Sequence, residues 1–421
     1  MSIFTSNIEL SSDNYPTIRP TLDLNFAATK TLDRRITFTR DSVGTFTDEN
    51  GMVKYATNNV PRFDHDPTTG ESLGLLIEES RTNKRTYSAA PNASNNYRIY
   101  GTPTYNTTDV VAPDGTTTAT KIVGDGIVPA GFDNYSNNYG GDQDIVQTYS
   151  VYVKNINATS VIIRIITGIE YTFTFATETG VLTGGSNDGG GFQKLPNGWY
   201  RVWLTDSKPN GYWYHQVMID AAAVTSNSMY FWGVQLEIGS FPTSYIPTNG
   251  TTVTRTADLP YIEGSNFSDF YDTTGSGGTF FVEFGGSNTS GTILSLGPDS
   301  GHTQTTQFGH SGYTQGVVSS NYNAFNTYGG SGATDGGWNT TGTNKFAFTI
   351  TSTQLKLCGN GKSVQTGSGT TPIFTNFTKF TFGGNVSWDK TYTGQQKNHI
   401  ISIKYYRSLL PDAQLQGLTQ Q

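Results

Sequence analysis

Short runs in which apolar and polar residues alternate with a period of two dominate the chain. Between residues 87 and 263 such runs recur at short intervals, separated by polar or glycine-rich stretches. A period of two places successive side chains on opposite faces of a β-strand. We therefore predict an antiparallel β-sandwich over residues 89–263, with strands at 148–154, 161–165, 171–175, 199–203, 214–219 and 229–236.

A second series of alternating runs begins after a change in the residue pattern near residue 263. Its strands are predicted at 279–284, 292–296, 345–350, 354–357, 379–382 and 399–406, and together they indicate a second sandwich over residues 264–421. The chain is predicted to close with a short helix from Pro411, because proline suits a first helical position and Leu415 and Leu418 share one face. One short helix leaves the predicted fold class all-β.

The first 88 residues differ from the rest in charge. Positions 1–90 carry 22 charged side chains, a density well above the chain average of 14%. Asn50 and Gly51 lie between two strand-like runs, and Asn-Gly in that position predicts a β-hairpin with a type I′ turn, in which both residues need positive φ. We therefore expect residues 1–88 to form a separate extended segment that carries a hairpin.

Composition and charge mainly exclude classes of function. A net charge of −7 and a pI near 5.2 provide no basic surface for phosphates, so nucleic-acid binding is not expected. The single cysteine, Cys358, excludes an intrachain disulfide. The sequence begins without a secretory signal and has no run of 18 apolar residues, so we expect a chain made in the cytoplasm without membrane insertion.

Ordered groups of motifs resemble parts of known phage proteins. Four N-terminal stretches resemble a module that recurs in structural proteins of cyanophages and other marine phages: residues 19–26, 36–40 (ITFTR), 61–67 (PRFDHDP) and 75–83 (LLIEESRTN). Residues 197–202, 232–237, 244–248 and 254–258 (TRTAD) look like the carbohydrate-binding-module-like jelly roll that follows this module. Residues 399–410 are similar to the end of a concanavalin or laminin-G type sandwich.

This resemblance implies a non-enzymatic bacteriophage virion protein, most simply a tail fibre or other fibre on the particle surface. Its partners would be other tail or capsid proteins and a host surface glycan, and the family implies a homotrimer. Residues 1–88 would dock onto the particle by β-pairing and ion pairs, through Asn50, Gly51, Arg34, Arg35 and Arg62. The alternatives are a purely structural capsid or tail decoration protein and, less favoured, a glycan depolymerase.

Two aromatic clusters are candidate glycan sites. Tyr212, Trp213 and Tyr214 are consecutive rings, which cannot all point into one core, and Tyr135 and Tyr139 lie in an asparagine- and glycine-rich stretch. Exposed rings beside amides suit stacking on sugar rings. The alternative is that these rings cover a sheet edge or a subunit interface, where tyrosine and tryptophan are also enriched.

Catalytic and metal sites are not indicated by any motif. Asp64 and Asp66 could share an ion while His65 points away, but a loop held by hydrogen bonds from aspartate side chains to the backbone before Pro67 is the favoured interpretation. A structural calcium ion is conceivable, although nothing in the spacing of the acids identifies it. We name no catalytic residue and predict no cofactor.

Overall fold

The computed structural model describes residues 14–95, 97–135, 146–165, 169–184, 189–206, 214–286, 291–297, 306–310, 316–320, 342–351, 354–368, 377–383, 385–386, 392–393 and 398–420. Antiparallel β-strands form nearly all of its regular structure, which confirms the all-β class expected from the sequence. The strands are arranged in two sandwiches, as predicted.

The N-terminal part contains seven short strands within the described residues. They are β1 (Leu22–Asn25), β2 (Thr37–Thr39), β3 (Gly44–Thr47), β4 (Val53–Ala56), β5 (Phe63–His65), β6 (Ser72–Ile77) and β7 (Arg81–Asn83). A single helical turn, α1 (Phe26–Thr29), follows β1. Asn25 caps this turn, because its side-chain oxygen accepts a hydrogen bond of 3.1 Å from the backbone N–H of Ala28.

The middle part supplies the strands of the first sandwich. They are β8 (Arg98–Tyr100), β9 (Thr102–Thr104), β10 (Thr120–Asp125), β11 (Gly131–Tyr135), β12 (Gln147–Asn155), β13 (Ser160–Ile165), β14 (Ile169–Thr174), β15 (Thr179–Thr183), β16 (Gly189–Lys194), β17 (Trp199–Asp206), β18 (Tyr214–Ile219) and β19 (Thr225–Ile238). Short 3₁₀ turns lie at Ala93–Asn95 and Pro196–Gly198. All six strands predicted between residues 148 and 236 are found.

The C-terminal part supplies the remaining elements. They are β20 (Val253–Arg255), β21 (Leu259–Glu263), α2 (Ser265–Ser268), β22 (Gly278–Gly286), β23 (Gly291–Gly297), β24 (Thr306–His310), β25 (Gly316–Ser320), β26 (Thr343–Ile350), β27 (Gln354–Gly359), β28 (Gln365–Ser368), β29 (Lys379–Phe382), β30 (Asn385–Val386), β31 (Tyr392–Thr393), β32 (Asn398–Tyr406) and α3 (Asp412–Thr419). The predicted closing helix is confirmed as α3, with Pro411 as its N-cap residue and Leu415 buried.

The first sandwich has two sheets with its core between them. Their strand orders are β16-β17-β12-β19-β10-β9 and β15-β14-β13-β18-β11-β8. Val151 and Val202 from the first sheet and Phe132, Ile163 and Val217 from the second are completely buried in one hydrophobic cluster. The alternation that predicted the strands therefore reflects real burial on the inner faces.

The second sandwich combines both ends of the chain. One sheet has the order β28-β27-β26-β22-β32-β6-β5, with β1 also paired to β32, and the facing sheet has the order β2-β21-β29-β23-β24-β25. Its core is rich in phenylalanine: Phe280 stacks on Phe348 with ring centroids 5.3 Å apart, and Phe380 packs against Phe280 at 5.5 Å. These contacts account for the aromatic-rich strands of the C-terminal sequence.

The N-terminal segment differs from expectation. Residues 22–77 supply strands to the second sandwich, with Leu24 paired to Ile403, Leu75 paired to Ile400 and Phe38 paired to Pro260. The expected separate attachment segment over residues 1–88 is therefore corrected for its described part, and the first sandwich is inserted into the second. A period of two identifies a strand, but it does not identify a pairing partner more than 300 residues away.

The predicted hairpin exists, although its turn is of another kind. β3 pairs with β4, and the five residues 48–52 connect them. Gly51 has φ of +73°, whereas Asn50 is not among the residues with positive φ, so the turn is not type I′. The side chain of Asp48 closes the loop instead, because it accepts hydrogen bonds of 2.9 Å from the backbone N–H groups of Asn50 and Met52.

A smaller hydrophobic layer covers the outer face of the first sandwich next to this hairpin. It contains Val53 of the hairpin together with Tyr152, Trp199 and Trp232 of the sandwich and Tyr245 of the connection that follows β19. Tyr152 and Trp232 pack edge to face with centroids 5.2 Å apart. This layer fixes the hairpin and the connection against the sandwich, and an open cleft lies at its border.

Candidate functional site

A cleft of about 450 Å³ opens where the hairpin, one end of the first sandwich and the connection after β19 meet. We call it the tyrosine cleft. Its lining combines aromatic rings with amides, hydroxyls and one carboxylate: Tyr55, Tyr87, Ser88, Ala89, Ala90, Asn92, Asn95, Tyr105, Asn106, Asp114, Thr116, Thr118, Thr120, Trp232, Tyr245, Pro247, Thr248 and Asn249. Its volume lies within the range typical of ligand sites.

The floor of the cleft is rigid because it is part of the hydrophobic layer. Trp232 and Tyr245 are 0% and 2% exposed, and their ring centroids are 4.6 Å apart. The indole N–H of Trp232 donates a hydrogen bond of 3.0 Å to the hydroxyl of Thr118. A buried indole needs such a partner, so this bond fixes one wall of the cleft.

The upper wall is formed by less buried tyrosines. Tyr55 is 48% exposed, while Tyr87 and Tyr105 are half-buried. The hydroxyl of Tyr105 accepts a hydrogen bond of 3.3 Å from the backbone N–H of Ala93, which holds the ring at the entrance. These rings present apolar faces beside exposed Asn106 and Asn249.

Asp114 is the charged group of the cleft, and three donors fix its carboxylate. The hydroxyl of Tyr55 donates a hydrogen bond of 2.9 Å to one oxygen. The backbone N–H and the hydroxyl of Thr116 donate hydrogen bonds of 3.0 and 2.6 Å to the other. Burial raises the pKa of Tyr55 and the neighbouring negative charge of Asp114 raises it further, so the phenol stays protonated at neutral pH.

A second polar group lies deeper in the cleft. Ser88 and Tyr245 share a hydrogen bond of 2.7 Å between their hydroxyls, and the backbone N–H of Thr248 donates to Ser88 Oγ at 2.8 Å. The hydroxyl of Thr248 is buried and has no hydrogen-bond partner among the described residues. A buried hydroxyl without a partner is unfavourable in an empty protein, and it is a group that a polar ligand could satisfy.

A closed polar site lies beside the cleft and contrasts with it. Five side chains, each 0% exposed, form a buried charge cluster: Arg40, Arg62, Glu78, Arg255 and Asp258. Arg62 donates to Glu78 at 2.8 Å and makes a very short contact with Asp258, which also pairs with Arg40 at 2.9 Å. Such geometry is what allows buried charges to be tolerated.

Most polar groups of the cluster have partners within the chain, while Nε of Arg62 and Nε of Arg255 are buried without a hydrogen bond among the described residues. Arg40 donates to three backbone carbonyl oxygens of residues 56, 57 and 60, and Ser244 donates its backbone N–H and hydroxyl to Glu78 at 2.7 and 2.6 Å. Desolvation lowers the pKa of Arg62, but the carboxylates of Asp258 and Glu78 outweigh it and the pKa is raised overall. Desolvation lowers the pKa of Arg40 and Arg255.

Four of the motifs that carried the resemblance supply the charged residues of this cluster. Arg40 ends ITFTR, Arg62 lies in PRFDHDP, Glu78 in LLIEESRTN, and Arg255 and Asp258 in TRTAD. These motifs therefore join the N-terminal strands to the chain leaving the first sandwich, and the cluster has no open face for a ligand. Arg62, predicted as a docking residue, is fully buried and cannot contact another protein, which corrects that prediction.

The other predicted docking residues have different environments. Arg34 and Asn50 are exposed. Arg35 is half-buried and forms a two-pronged ion pair with Asp33, with both N–O distances 2.9 Å, and this hydrogen bond lowers the pKa of Asp33. Gly51 is buried, and a Cβ there would lie 2.3 Å from Cγ of Pro196 in the first sandwich. The hairpin tip is thus an internal contact at Gly51, which corrects the docking role predicted for that residue.

The aromatic clusters predicted as glycan sites fall largely outside the described residues. Tyr139, Tyr212 and Trp213 lie outside them, and only the backbone is described for Tyr135 and Tyr214. The strand register pairs Tyr135 of β11 with Tyr214 of β18, so the two predicted clusters approach each other at one end of a sheet. Their role as a glycan site stays a prediction.

The favoured loop is present at Asp66, whereas Asp64 lies within strand β5. Asp66 Oδ1 accepts backbone N–H bonds of 2.8 Å from both Thr68 and Thr69, and Asp64 bonds to Nε2 of His399 at 2.8 Å. Among the described residues no group of three or more histidine, cysteine, aspartate or glutamate side chains could hold a metal ion. In the same part of the chain no helix is long and apolar enough to cross a membrane.

The sequence interpretation missed the tyrosine cleft. Its lining comes from separate parts of the chain between Tyr55 and Asn249, and each part alone contains ordinary strand and turn residues. Tyr105-Asn106 and Tyr87-Ser88 carry weak signals at best, because a tyrosine beside a polar residue is common in any sandwich. Only the packing of hairpin against sandwich brings these groups together.

Comparisons with known proteins leave the family open. No protein-family model and no curated protein matches the chain. Among solved structures, domains LG4-5 of the mouse laminin alpha1 chain are 9% identical with a TM-score of 0.21, covering 66% of this chain and 88% of that one. The LG1-3 region of the laminin alpha2 chain is 11% identical with a TM-score of 0.20, covering 66% of this chain and 63% of that one. At this level of similarity no family or function follows.

Proposed function

We propose that this protein is a bacteriophage virion protein on the particle surface and that it contributes to host attachment by binding carbohydrate in the tyrosine cleft. The observation that carries the proposal is the lining of that cleft. Tyr55, Tyr87 and Tyr105 provide ring faces, while asparagines, threonines and Asp114 provide hydrogen-bonding groups around them. This combination in one cleft matches the two kinds of surface that a sugar ring presents.

The chemistry of a pyranose explains why such a lining suits it. The faces of the ring consist of C–H groups that pack on an aromatic ring, and the hydroxyls around its edge need hydrogen-bond partners in the plane of the ring. Asparagine offers both donors and an acceptor, and an ionised aspartate offers acceptors alone. Fixed partners such as Asp114, with three donors of its own, reduce the entropy lost on binding.

The location in a phage particle rests on the resemblance of the ordered motifs, and so do the partners. Tail or capsid proteins and a homotrimeric state belong to this proposal. Arg34 and Asn50 are exposed at the surface of the N-terminal strands and are the predicted docking residues that a particle protein could still reach.

Binding of the purified full-length chain to a glycan array tests the proposal. Replacing Tyr105 by alanine removes a half-buried ring at the entrance, and we expect it to weaken binding by at least about tenfold, the value of one good stacking contact. Tyr15→Ala is the matched control, because Tyr15 is 36% exposed and does not line the cleft. It should bind like the unmodified chain.

Two results would count against the proposal. Equal binding by Tyr105→Ala and the unmodified chain, at unchanged melting temperature, would exclude the cleft as the site. A complete absence of binding across the array would favour the alternative of a purely structural decoration protein. Detection of the chain in purified particles by mass spectrometry tests the virion assignment separately.

A further inference from the structure

We infer that the tyrosine cleft selects uncharged glycans and rejects those that carry carboxylate, sulfate or phosphate groups. This inference rests on the proposed function and adds the class of sugar to it. Its basis is the distribution of charge among the described lining residues. Asp114 is their one acid, and lysine, arginine and histidine are absent from them.

Proteins that bind anionic ligands provide positive partners for them. Arginine and lysine form charge-assisted hydrogen bonds with carboxylate and phosphate oxygens, and these bonds are about twice as strong as neutral ones. The donors available in the tyrosine cleft are amides, hydroxyls and backbone N–H groups, all uncharged. An anionic sugar would therefore lose its hydration without gaining a compensating charge.

The negative charge of Asp114 also repels an anionic sugar. Its carboxylate accepts hydrogen bonds and cannot donate them while ionised, so a sugar hydroxyl can bind it and a second carboxylate cannot. The groups that already bind it, the hydroxyl of Tyr55 and the backbone N–H and hydroxyl of Thr116, are neutral and leave its charge uncancelled. At a separation of several ångström, two like charges near a protein surface repel by enough to change affinity about tenfold.

The discriminating experiment compares two forms of one ligand. The probe is the uncharged oligosaccharide that binds best on the array, and its partner is the same oligosaccharide after oxidation of its C6 hydroxymethyl groups to carboxylates. Isothermal titration calorimetry with the full-length chain should show the neutral form binding at least about tenfold more tightly at low salt. The ratio should shrink in about 0.5 M salt, where the Debye length falls to a few ångström.

Variants that remove one charge show which residue causes the preference for the neutral ligand. Asp114→Asn should bring the affinity ratio of neutral to oxidised ligand towards one. Asp109→Asn is the matched control, because Asp109 pairs with Lys121 at 3.6 Å and does not line the cleft, and it should leave the ratio unchanged. Should Asp114→Asn fold poorly, the salt dependence of the affinity ratio in the unmodified chain still tests the inference.

The outcomes separate the two ideas. Equal affinity for the neutral and oxidised ligands, or a preference that salt does not change, would overturn the inference and leave the carbohydrate-binding proposal standing. Failure of every uncharged oligosaccharide to bind would overturn the proposed function and this inference with it. Tighter binding of the oxidised ligand would show that a cationic group outside the described lining takes part.

Discussion

The buried charge cluster and the tyrosine cleft are neighbours built from the same parts of the chain, yet they differ in nearly every physical respect. Ser244 bonds to Glu78 in the cluster, and the next residue, Tyr245, lines the cleft. The cluster concentrates five charges at 0% exposure, whereas the cleft exposes neutral polar groups and a single carboxylate. One site is closed and the other is open.

The difference shows that a group of polar residues can either stabilise the fold or remain accessible to a ligand. Charged side chains at recognisable motif positions are here used for assembly, because each charge has partners inside the chain. Groups able to bind an external ligand are instead uncharged tyrosines, asparagines and threonines, some outside the motifs, such as Tyr105, and some within them, such as Tyr245. Strong sequence patterns thus point to the frame of this protein, and the candidate site must be found from the space left at its surface.

Breaking the cluster should have the largest effect. We expect Arg62→Ala to lower the free energy of unfolding by about 3–5 kcal/mol, because Glu78 and Asp258 would remain buried without their nearest common partner. Arg255 also contacts both carboxylates, but only at 3.5 and 3.9 Å. Denaturant unfolding followed by tryptophan fluorescence measures the change. Arg34→Ala, on an exposed arginine, should stay within about 0.5 kcal/mol. Similar stabilities for the two variants would mean that the cluster is not formed.

Disturbing the contact between hairpin and first sandwich should come next. Gly51→Ala places a Cβ 2.3 Å from Pro196 at a φ of +73°, whereas Gly198→Ala, at a similar φ of +76°, places a Cβ 3.8 Å from Cε of Lys154. We expect about 1 kcal/mol from the backbone in both, and a further 1–3 kcal/mol from overpacking in Gly51→Ala alone. Melting temperatures measure both. Equal losses would show that the hairpin does not pack as described.

A buried pair of an arginine and a histidine makes the stability of the fold depend on pH. Arg85 donates to Nδ1 of His215 at 2.9 Å, and burial, followed by the charge of Arg85, lowers the pKa of His215 well below 6.5. The unfolded chain takes up a proton below pH 6.5 and the folded chain does not, so stability falls as pH falls. At pH 5 the loss is at most about 2 kcal/mol, the limit set by the ordinary histidine pKa of the unfolded chain.

Unfolding midpoints at pH 7 and pH 5 test this effect. His215→Gln should lose less stability on acidification than the unmodified chain, since glutamine has no proton to take up. An identical decrease in both proteins would show that His215 does not titrate in this range.

The smallest change concerns the wall of the cleft. Tyr55→Phe removes the hydroxyl that donates to Asp114 and keeps the ring. Stability should change by less than about 1 kcal/mol, and glycan affinity should fall about threefold because the carboxylate loses one of its fixed partners. Calorimetric titration measures the affinity, with Tyr15→Phe as the control outside the cleft. A loss as large as that of Tyr105→Ala would mean that the hydroxyl contacts the sugar directly.

Individual residues show how far the sequence could predict this structure. The alternation around Val151, Val202 and Val217 predicted strands that are present, with these residues completely buried. Arg62 was misplaced at a docking surface because arginine is usually exposed, and its burial depends on Glu78 and on Asp258, which follows 196 residues later. The pattern around a single residue contains no information about such a distant partner.

Local sequence patterns were enough to predict the all-β class, the twelve strands of the two sandwiches and the helix after Pro411, because these depend on side-chain period and turn chemistry within a few residues. Long-range packing was needed to place β1 and β6 in the C-terminal sheet, to bring five charged residues together out of water, and to turn Tyr55 and Tyr105 towards one cleft with Tyr245. Those outcomes depend on which sheets close around which cores, and that choice is made by the folded chain as a whole.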